Sequence, residues 1–359
     1  MMEQIYALGV SCIECVQYWL ADYDSYFELV NHMCDPQLMV DYLFPLMSIL
    51  DSVFAAQLLL CLGVGGWLNA LMKWWLLEDR PYWWVRETTF YTDEKPVLRQ
   101  TLQTCETGPG SPSGHSTTAA MMLILSLMWL SHVMNDRKCY ISWWKYLMYP
   151  LCVAALISVM LARLFIATHF PHQCLLGALV GSFLAPALCI YVSDPYIWQY
   201  GAPSPRSALG AAWRALGAAG AALAAVATYY GLRAAGTDPH YTVQLAFRWC
   251  ENPESIRVST TPMYALVHST GSLMGWALCV TPAVAEYRHY TKDRSLIISI
   301  FTTILFLMGY QNIQDNMCKA DATRFYIMQY VLAGLKPMLL LRVMPTISMW
   351  PFRIKTKVD

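Results

Sequence analysis

Three short stretches of the sequence place basic side chains and histidines where they could act on a phosphate group. KWWLLEDRP supplies two cations, PSGH supplies a helix start with a histidine, and RLFIATH supplies a third cation and a second histidine. The residues concerned are Lys73, Arg80, Ser113, Gly114, His115, Arg163 and His169. Cations neutralise phosphoryl oxygens, the free amides of a helix start bind anions, and two histidines can serve as nucleophile and general acid. This combination predicts phosphoryl transfer. The sequence contains no cluster of carboxylates that could hold Mg²⁺, which favours metal-free chemistry.

The first stretch predicts two cations on one helix. Lys73 and Arg80 stand seven residues apart, so a continuous helix would place them on one face, about 10 Å apart along its axis. Pro81 predicts that the helix ends or bends directly after Arg80. An alternative explanation for Lys73 and Arg163 is snorkelling, in which a long side chain reaches from an apolar run to the membrane surface. The agreement of the three stretches favours a shared anion site.

The other two stretches predict helix boundaries beside that site. Ser113 is a natural N-cap for the helix that follows it. Arg163 and His169 lie six residues apart, which is about 120° off one helix face, so a single unbroken helix would not direct both side chains to one point. Thr168 as a cap, with Pro171 in the first turn of the next helix, predicts the break that resolves this.

The composition indicates a protein that crosses a membrane several times. Of 359 residues, 57% are hydrophobic and only 13% are charged, against about 25% charged in soluble domains. A formal net charge of zero argues against nucleic acid as a partner. About 20 apolar residues cross a bilayer as a helix. Nine segments are candidates: roughly 27–50, 55–77, 115–135, 146–166, 172–193, 209–232, 262–282, 295–313 and 325–347.

The predicted fold is therefore an all-α, polytopic membrane helix bundle of about nine transmembrane helices. The segment 27–50 is the weakest of the nine, because Asp35 and Asp41 interrupt it. We expect one transmembrane phosphatase domain over residues 1–359, since the connections between spans are short. Its catalytic core would cover about 55–193, with additional helices over about 209–347 and a tail at 348–359.

The distribution of basic residues predicts the orientation in the membrane. Lys and Arg are enriched in cytosolic loops, which places the acidic N-terminus in the lumen and, with nine spans, the C-terminus in the cytosol. The chain ends in KTKVD, and its Lys355 and Lys357 resemble the K-x-K-x-x retrieval signal of endoplasmic reticulum membrane proteins. A basic tail that only follows the charge rule is the alternative.

Together, the three stretches resemble the K-x₆-RP, PSGH and SR-x₅-H signature of the acid phosphatase and vanadium haloperoxidase superfamily, also called type 2 phosphatidic acid phosphatases. RPYWWV, CETGPGSPSGH, HFPHQ and RWCENPE are similar to the glucose-6-phosphatase catalytic subunits, and this likeness covers nearly the whole chain. The resemblance implies an acid phosphatase/haloperoxidase-like core that hydrolyses glucose 6-phosphate at the lumenal face of the endoplasmic reticulum, without cofactor or metal. It also implies a role in glucose homeostasis and a separate glucose-6-phosphate transporter that delivers the substrate.

The same resemblance assigns a role to each residue. His169 would be the nucleophile that becomes phosphohistidine, while His115 would protonate the departing sugar oxygen and then activate water. The residues that would bind the phosphoryl oxygens are Lys73, Arg80, Ser113, Gly114 and Arg163.

Two positions depart from the superfamily pattern. Ala162 replaces the usual serine before Arg163, and Gln173 stands where many members have an aspartate that orients the nucleophilic histidine. A glutamine oxygen can still accept a hydrogen bond from the imidazole, and glutamine at this position favours the glucose-6-phosphatase branch. His172 is expected next to the site as a supporting residue.

Two groups of residues leave alternatives open. Trp83 and Trp84 could form an aromatic wall for a sugar ring, or they could be tryptophans of the membrane interface. Cys105, Cys250 and Cys318 fall in loops and could form disulfides if those loops face an oxidising lumen.

Other functions also remain compatible with these residues. A lipid phosphate phosphatase, or a phosphatase for another sugar phosphate, would use the same catalytic groups. An anion transporter would use the cations alone, but it predicts polar residues deep within several spans and leaves the paired histidines without a role.

Overall fold

The chain is almost entirely helical across the residues that the structure, a computed structural model, describes: 2–92, 94–136, 143–193, 198–199, 202–203, 207–280 and 295–355. The α-helices are Met2–Trp19, Asp24–Met33, Pro36–Leu38, Phe44–Leu50, Ser52–Leu76, Pro81–Glu87, Gly114–Asp136, Trp143–Phe165, Pro171–Leu188, Ser207–Ala234, Tyr241–Trp249, Pro262–Cys279, Leu296–Asp315, Ala322–Met338 and Met344–Lys355. Wider π-helical turns lie at Met39–Leu43, Cys189–Ser193 and Leu339–Val343. The two-residue strands Trp198–Gln199 and Ala202–Pro203 pair in antiparallel fashion. The predicted all-α class is confirmed.

Seven of these helical stretches are long and apolar enough to cross a membrane. They are Ser52–Glu87, Gly114–Met134, Trp143–Phe165, Pro171–Ser193, Ala212–Ala234, Leu296–Asp315 and Ala322–Met349. A protein that crosses the membrane several times is thereby confirmed, whereas the predicted count of nine is too high for the part of the chain that the structure describes.

Two predicted spans account for the difference. The segment 27–50 is broken, because the helix Asp24–Met33 ends before Asp35 and the apolar helix that follows covers only Pro36–Leu50. A helix of that length rises about 22 Å, which is less than the roughly 30 Å of a bilayer core. The segment 262–282 forms the helix Pro262–Cys279, whose buried polar residues lower its hydropathy: Ser269, Thr270 and Ser272.

The described residues form two compact units. The first comprises Met1–Leu38, Gly65–Pro186 and Ala224–Leu266, and the second comprises Met39–Val64, Ala187–Leu223 and Val267–Asp359. All seven residues of the predicted phosphate site lie in the first unit. The expectation of a single phosphatase domain with a core over about 55–193 stays a prediction.

The core of the first unit is an aromatic cluster that surrounds the segment after His169. Tyr6 of the N-terminal helix stacks on Phe170 with ring centroids 4.6 Å apart, and Trp84 meets both rings edge-on. The N-terminal helix can approach this closely because residue 9 is a glycine, whose added Cβ would come within 2.7 Å of the Phe170 ring. Aromatic pairs of this kind contribute about 0.5–1.5 kcal/mol each beyond burial. They hold the segment that carries His169 in place.

The second unit contains a buried ion pair. The Lys336 ammonium donates a hydrogen bond to Asp41 at 2.6 Å and lies 4.9 Å from the centre of the Tyr310 ring. A charge inside an apolar helix is costly unless it is paired. The partner explains why an apolar stretch of the sequence contains Asp41.

The predicted orientation and retrieval signal remain predictions. Lys357 lies outside the described residues, and Lys355 is described only as the last residue of the helix Met344–Lys355. Six basic loop residues on which the predicted orientation rests also lie outside the described ranges: Arg137, Lys138, Arg206, Arg288, Lys292 and Arg294.

Candidate active site

The backbone carbonyls of three consecutive residues, Gly108–Gly110, hold three of the predicted site residues. Arg80 Nε donates to the first carbonyl at 2.6 Å, Lys73 Nζ donates to the second at 2.9 Å, and His169 Nδ1 contacts the third at 2.7 Å. The third position requires glycine, because a Cβ on Gly110 would come within 2.4 Å of a backbone oxygen. The glycine-rich turn therefore brings the first and third sequence stretches to one place.

Arg80 does not lie on the Lys73 helix, which corrects the predicted shared helix face. That helix ends at Leu76, and Arg80 is extended, with φ −104° and ψ 152°, before the next helix begins at Pro81. The proline causes this, since the residue before a proline avoids the helical conformation. The predicted helix end directly after Arg80 lies four residues too late, because the helix ends at Leu76 and Pro81 begins the next one.

The cations point into the protein. Lys73 is 8% exposed and Arg163 is 0% exposed, so neither side chain reaches outward as snorkelling would require. Both also have internal partners: the Gly108–Gly110 turn for Lys73, and Asn31 for Arg163.

Ser113 caps the helix that carries His115, as predicted. Its Oγ accepts a hydrogen bond from the Ser116 amide at 3.4 Å, and the helix begins at Gly114. The amide of Ser113 itself donates to the Gln173 carbonyl at 3.0 Å. The amides of Gly114 and His115 open the helix and have no intrahelical acceptor. The turn therefore offers an anion these two amides and the positive end of the helix dipole.

The predicted break between the third cation and the second histidine is present, but Thr168 does not cap the following helix. The preceding helix ends at Phe165 and the next begins at Pro171. Gln173 supplies the cap, because its Oε1 accepts a hydrogen bond from the Phe170 amide at 3.1 Å, which is one half of a capping box.

The His169 ring is held by the Gly110 carbonyl rather than by Gln173, which corrects the expected orienting contact. A carbonyl oxygen only accepts hydrogen bonds, so Nδ1 carries the proton and Nε2 presents a lone pair. Burial and the charges of Arg80 and Arg163 lower the pKa of His169 well below its usual range. The ring is therefore neutral, and its Nε2 lies 3.4 Å from Arg80. A neutral imidazole with a directed lone pair suits a nucleophile.

A carboxylate that sequence reasoning missed lies at the centre of these groups. Glu106 Oε2 lies 3.0 Å from a guanidinium nitrogen of Arg80, and Glu106 Oε1 accepts a hydrogen bond from Arg163. Oε1 also lies 3.9 Å from His115 Nδ1, and Oε2 lies 3.9 Å from His169 Nε2. Burial raises the pKa of Glu106, but the charges of Arg163 and Arg80 outweigh it and hold that pKa well below its usual range. One anion is held where both histidines and two cations converge.

Asn31 is a second residue that the sequence did not reveal. Its Oδ1 accepts a hydrogen bond from Arg163, and its Nδ2 donates to Gln103 Oε1 at 2.5 Å. An asparagine in a weakly apolar segment gives no sign of a contact 132 residues further along the chain. Glu106 did leave a signal, because it stands in the CETGPGSPSGH block as an acid beside a cationic set.

His172 and Gln173 lie behind the glycine-rich turn. His172 Nε2 contacts Glu78 at 2.9 Å, and Gln173 Nε2 donates to the same carboxylate at 3.0 Å. Gln173 Nε2 also donates to the Asp79 carbonyl at 2.9 Å. These bonds join the segment before Arg80 to the helix after His169, so the two residues support the site without entering it.

Trp83 and Trp84 are core residues, with 0% and 5% exposure. Trp83 Nε1 donates to Asp79 at 2.8 Å, while Trp84 packs against Phe170. Both tryptophans thus pack against neighbouring side chains of the first unit, and a sugar contact by either ring stays a prediction.

A disulfide joins Cys105 to Cys250, which is one of the pairings that the sequence left open. It ties the residue before Glu106 to the end of the helix Tyr241–Trp249. Cys318, the third candidate, is an exposed free cysteine.

Cys250→Ser is expected to lower the free energy of unfolding by about 2–5 kcal/mol, because the lost bond no longer restricts the unfolded chain. The measurement is the thermal unfolding midpoint of the purified protein in detergent. Cys318→Ser is the matched control and should keep the wild-type midpoint. A wild-type midpoint for Cys250→Ser would contradict a structural role for the disulfide.

Comparison with known proteins identifies the family. Residues 54–197 match the model of the PAP2 superfamily. Human "Glucose-6-phosphatase 2" is 31% identical, covering 96% of this chain and 96% of that protein. Human "Glucose-6-phosphatase 3" is 29% identical, covering 96% of this chain and 95% of that protein. "Glucose-6-phosphatase catalytic subunit 1" of Canis lupus familiaris is 32% identical, covering 82% of this chain and 79% of that protein.

No solved structure matches the chain. The relatives are similar over nearly its full length, and the superfamily match spans all three stretches that meet around Glu106. The chain belongs to the glucose-6-phosphatase family of the PAP2 superfamily, and it is a membrane phosphomonoester hydrolase.

Proposed function

We propose that this enzyme hydrolyses glucose 6-phosphate to glucose and inorganic phosphate through a phosphohistidine at His169. The observation that carries the proposal is that His115 and His169 each lie 3.9 Å from one oxygen of a single carboxylate, which Arg80 and Arg163 also hold. A phosphoryl group has the same sign of charge and accepts the same charge-assisted hydrogen bonds as that carboxylate. The relatives' names supply glucose 6-phosphate as the substrate.

In this proposal the phosphoryl oxygens are bound from several directions. Arg80 and Arg163 each donate to an oxygen, and Lys73 adds a third positive charge. The first amides of the PSGH helix add donors and the helix dipole. Ser113 contributes by capping that helix, and Gly114 contributes its amide. Fixed donors and charges of this kind stabilise the charge that develops on the equatorial oxygens in the transition state.

The first chemical step transfers the phosphoryl group to the enzyme. The lone pair of His169 Nε2 forms a bond to phosphorus while the bond between phosphorus and the sugar oxygen breaks. Protonated His115 gives its proton to that oxygen, and glucose leaves. The Gly110 carbonyl at Nδ1 of His169 stabilises the positive charge that the ring acquires.

The second step returns the enzyme to its starting state. Neutral His115 takes a proton from water, the water oxygen bonds to phosphorus, and the bond between phosphorus and Nε2 breaks. Inorganic phosphate leaves, His115 is protonated again and His169 is neutral. Nε2 of His115 is buried and has no hydrogen-bond partner among the described residues, so it is available to the sugar oxygen or the water.

We also propose that the site faces the lumen of the endoplasmic reticulum, with the C-terminus in the cytosol. The Cys105–Cys250 disulfide next to Glu106 supports this side, because disulfides persist in oxidising compartments. Lys355 and Lys357 would then act as a cytosolic retrieval signal. A separate glucose-6-phosphate transporter would have to deliver the substrate.

Phosphate release by the purified protein in detergent tests the function. Glucose 6-phosphate, other sugar phosphates such as a 1,5-anhydroglucitol ester, and phosphatidic acid are compared in the presence of a chelator. We expect the highest kcat/KM for glucose 6-phosphate, by about tenfold or more, and no effect of the chelator. Preference for phosphatidic acid would assign a lipid phosphatase instead, and inactivation by the chelator would contradict a metal-independent mechanism.

A further inference from the structure

Glu106 occupies the position that the proposed function gives to the phosphoryl group. Its two oxygens bind the guanidinium groups of Arg80 and Arg163, and they face the ring nitrogens of His115 and His169 at 3.9 Å. Two carboxylate oxygens on two guanidinium groups reproduce two of the oxygens of a phosphate. The carboxylate and a phosphoryl group cannot share this site, because like charges at such separations repel strongly.

The arginines do not depend on Glu106 for their positions. Arg80 donates to the carbonyls of Gly108 at 2.6 Å, Pro109 at 3.3 Å and Thr168 at 3.3 Å. Arg163 donates through a second nitrogen to Asn31. Both guanidinium groups would therefore stay in place, with their remaining donors directed at the site, after the carboxylate has left.

The backbone around Glu106 is fixed on both sides. Its carbonyl accepts a hydrogen bond from the Tyr82 hydroxyl at 2.8 Å. The residue before it, Cys105, forms the disulfide to Cys250. The residue after it, Thr107, shares a hydrogen bond of 2.9 Å between its hydroxyl and that of Thr260. The side chain keeps 16% exposure. Departure of the carboxylate from the arginines would therefore require rotation of the side chain rather than a movement of the loop.

We propose that Glu106 is a built-in competitor for the phosphate site: it binds the two arginines in the resting enzyme, yields to the substrate and displaces inorganic phosphate after hydrolysis. This inference rests on the proposed function, since it places the phosphoryl group between His115 and His169. Its consequence is a weak affinity for the product. An internal anion is present at high effective concentration, so phosphate must displace it in order to stay bound.

The test is the binding of radioactive inorganic phosphate to the full-length protein in detergent, measured without any sugar ester. Glu106→Gln keeps the shape of the side chain and removes its charge, so we expect phosphate to bind at least about tenfold more tightly, which corresponds to about 1.4 kcal/mol. Glu87→Gln is the matched control, because that carboxylate is exposed and pairs with Arg248 outside the site. It should keep the wild-type affinity.

Steady-state kinetics with glucose 6-phosphate give a second readout that a purely structural role would not produce. In Glu106→Gln both KM and kcat should fall, because substrate no longer displaces a carboxylate and product leaves more slowly. Glu106→Asp keeps the charge but shortens the reach, so phosphate affinity should lie between those of wild type and Glu106→Gln. This variant keeps the proposal testable if Glu106→Gln does not fold.

Unchanged or weaker phosphate binding in a folded Glu106 variant would overturn the competition. If His169→Ala, purified in the same way, does not hydrolyse glucose 6-phosphate, the proposed function is kept even though the competition by Glu106 is rejected. Conversely, tighter phosphate binding in Glu106→Gln, together with hydrolysis that persists in His169→Ala, would support the competition and refute the phosphohistidine.

Discussion

His169→Ala is expected to lower kcat for glucose 6-phosphate by at least about 10⁴-fold, the order of loss when the nucleophile of a covalent mechanism is removed. The reason is geometric: Nδ1 is held by the Gly110 carbonyl at 2.7 Å, and Nε2 lies 3.4 Å from Arg80 and 3.9 Å from Glu106. The measurement is phosphate release together with transfer of radioactive phosphate to the protein. Both should be lost in the variant.

His240→Ala is the matched control for this prediction. His240 lies in the same unit but packs near Tyr229, with ring centroids 5.9 Å apart, and contacts none of the site residues. This variant should keep hydrolysis and labelling. Hydrolysis or labelled protein in His169→Ala would remove that histidine as the nucleophile.

The meeting of the three sequence stretches was predictable because prolines and small residues mark the local breaks. Pro81 keeps Arg80 extended and starts a new helix directly after it, and Pro171 starts a new helix just after His169. Ser113 caps the helix of His115 as its type predicts. These are effects of neighbouring residues on the backbone, and they can be recognised in a single sequence.

The partners that the sequence did not reveal are contacts between distant segments. The residues Gly108–Gly110 direct their carbonyls to three different elements, and no residue type announces where a carbonyl points. Asn31 reaches Arg163 from the start of the chain. Glu106 stands within CETGPGSPSGH, but a negative charge is not expected in a site that binds an anion. Its ion pairs with Arg80 and Arg163 explain its presence there. The error at the helix cap has a local cause instead, because the hydrogen bond from the Phe170 amide to Gln173 spans only three residues and follows the glutamine position of a capping box.

The span count was too high for a related reason. Hydropathy alone counts the segment 27–50 as one membrane helix, but its first part lies in the helix Asp24–Met33, which belongs to the first unit and supplies Asn31. Asp41, in the second half, forms the buried pair with Lys336. Each polar residue in this apolar segment therefore has a specific partner: Asn31 pairs with Arg163 in the first unit, and Asp41 pairs with Lys336 in the second.

The glycine-rich turn and the PSGH turn that follows it contribute different backbone groups to the site. The carbonyls of Gly108–Gly110 hold Lys73, Arg80 and the His169 ring, while in the proposed function the amides that open the following helix would donate to the phosphoryl group. In that proposal, the acceptors of the first turn position the catalytic side chains, and the donors of the second turn bind the phosphate.

His115→Ala is expected to slow the steady-state hydrolysis of glucose 6-phosphate by about 10²–10⁴-fold, the usual contribution of a general acid or base. The two steps should respond differently if an aryl phosphate such as p-nitrophenyl phosphate replaces the sugar ester. Its leaving group needs no proton, so phosphorylation of His169 proceeds, while hydrolysis of the phosphoenzyme still needs a base for water. Rapid mixing should show a burst of nitrophenol equal to the enzyme concentration, followed by a slow steady rate.

The burst separates the roles of the two histidines, because each variant stops the reaction at a different point. His115→Ala should accumulate labelled protein with the aryl phosphate, whereas the double variant with His169→Ala should show neither burst nor label. Wild-type steady-state rates in His115→Ala would contradict its acid and base roles. A slow rate without a burst would mean that His115 is needed to form the phosphoenzyme even when the leaving group requires no proton, and its main task would then be to position the phosphoryl group beside Arg163 and Arg80.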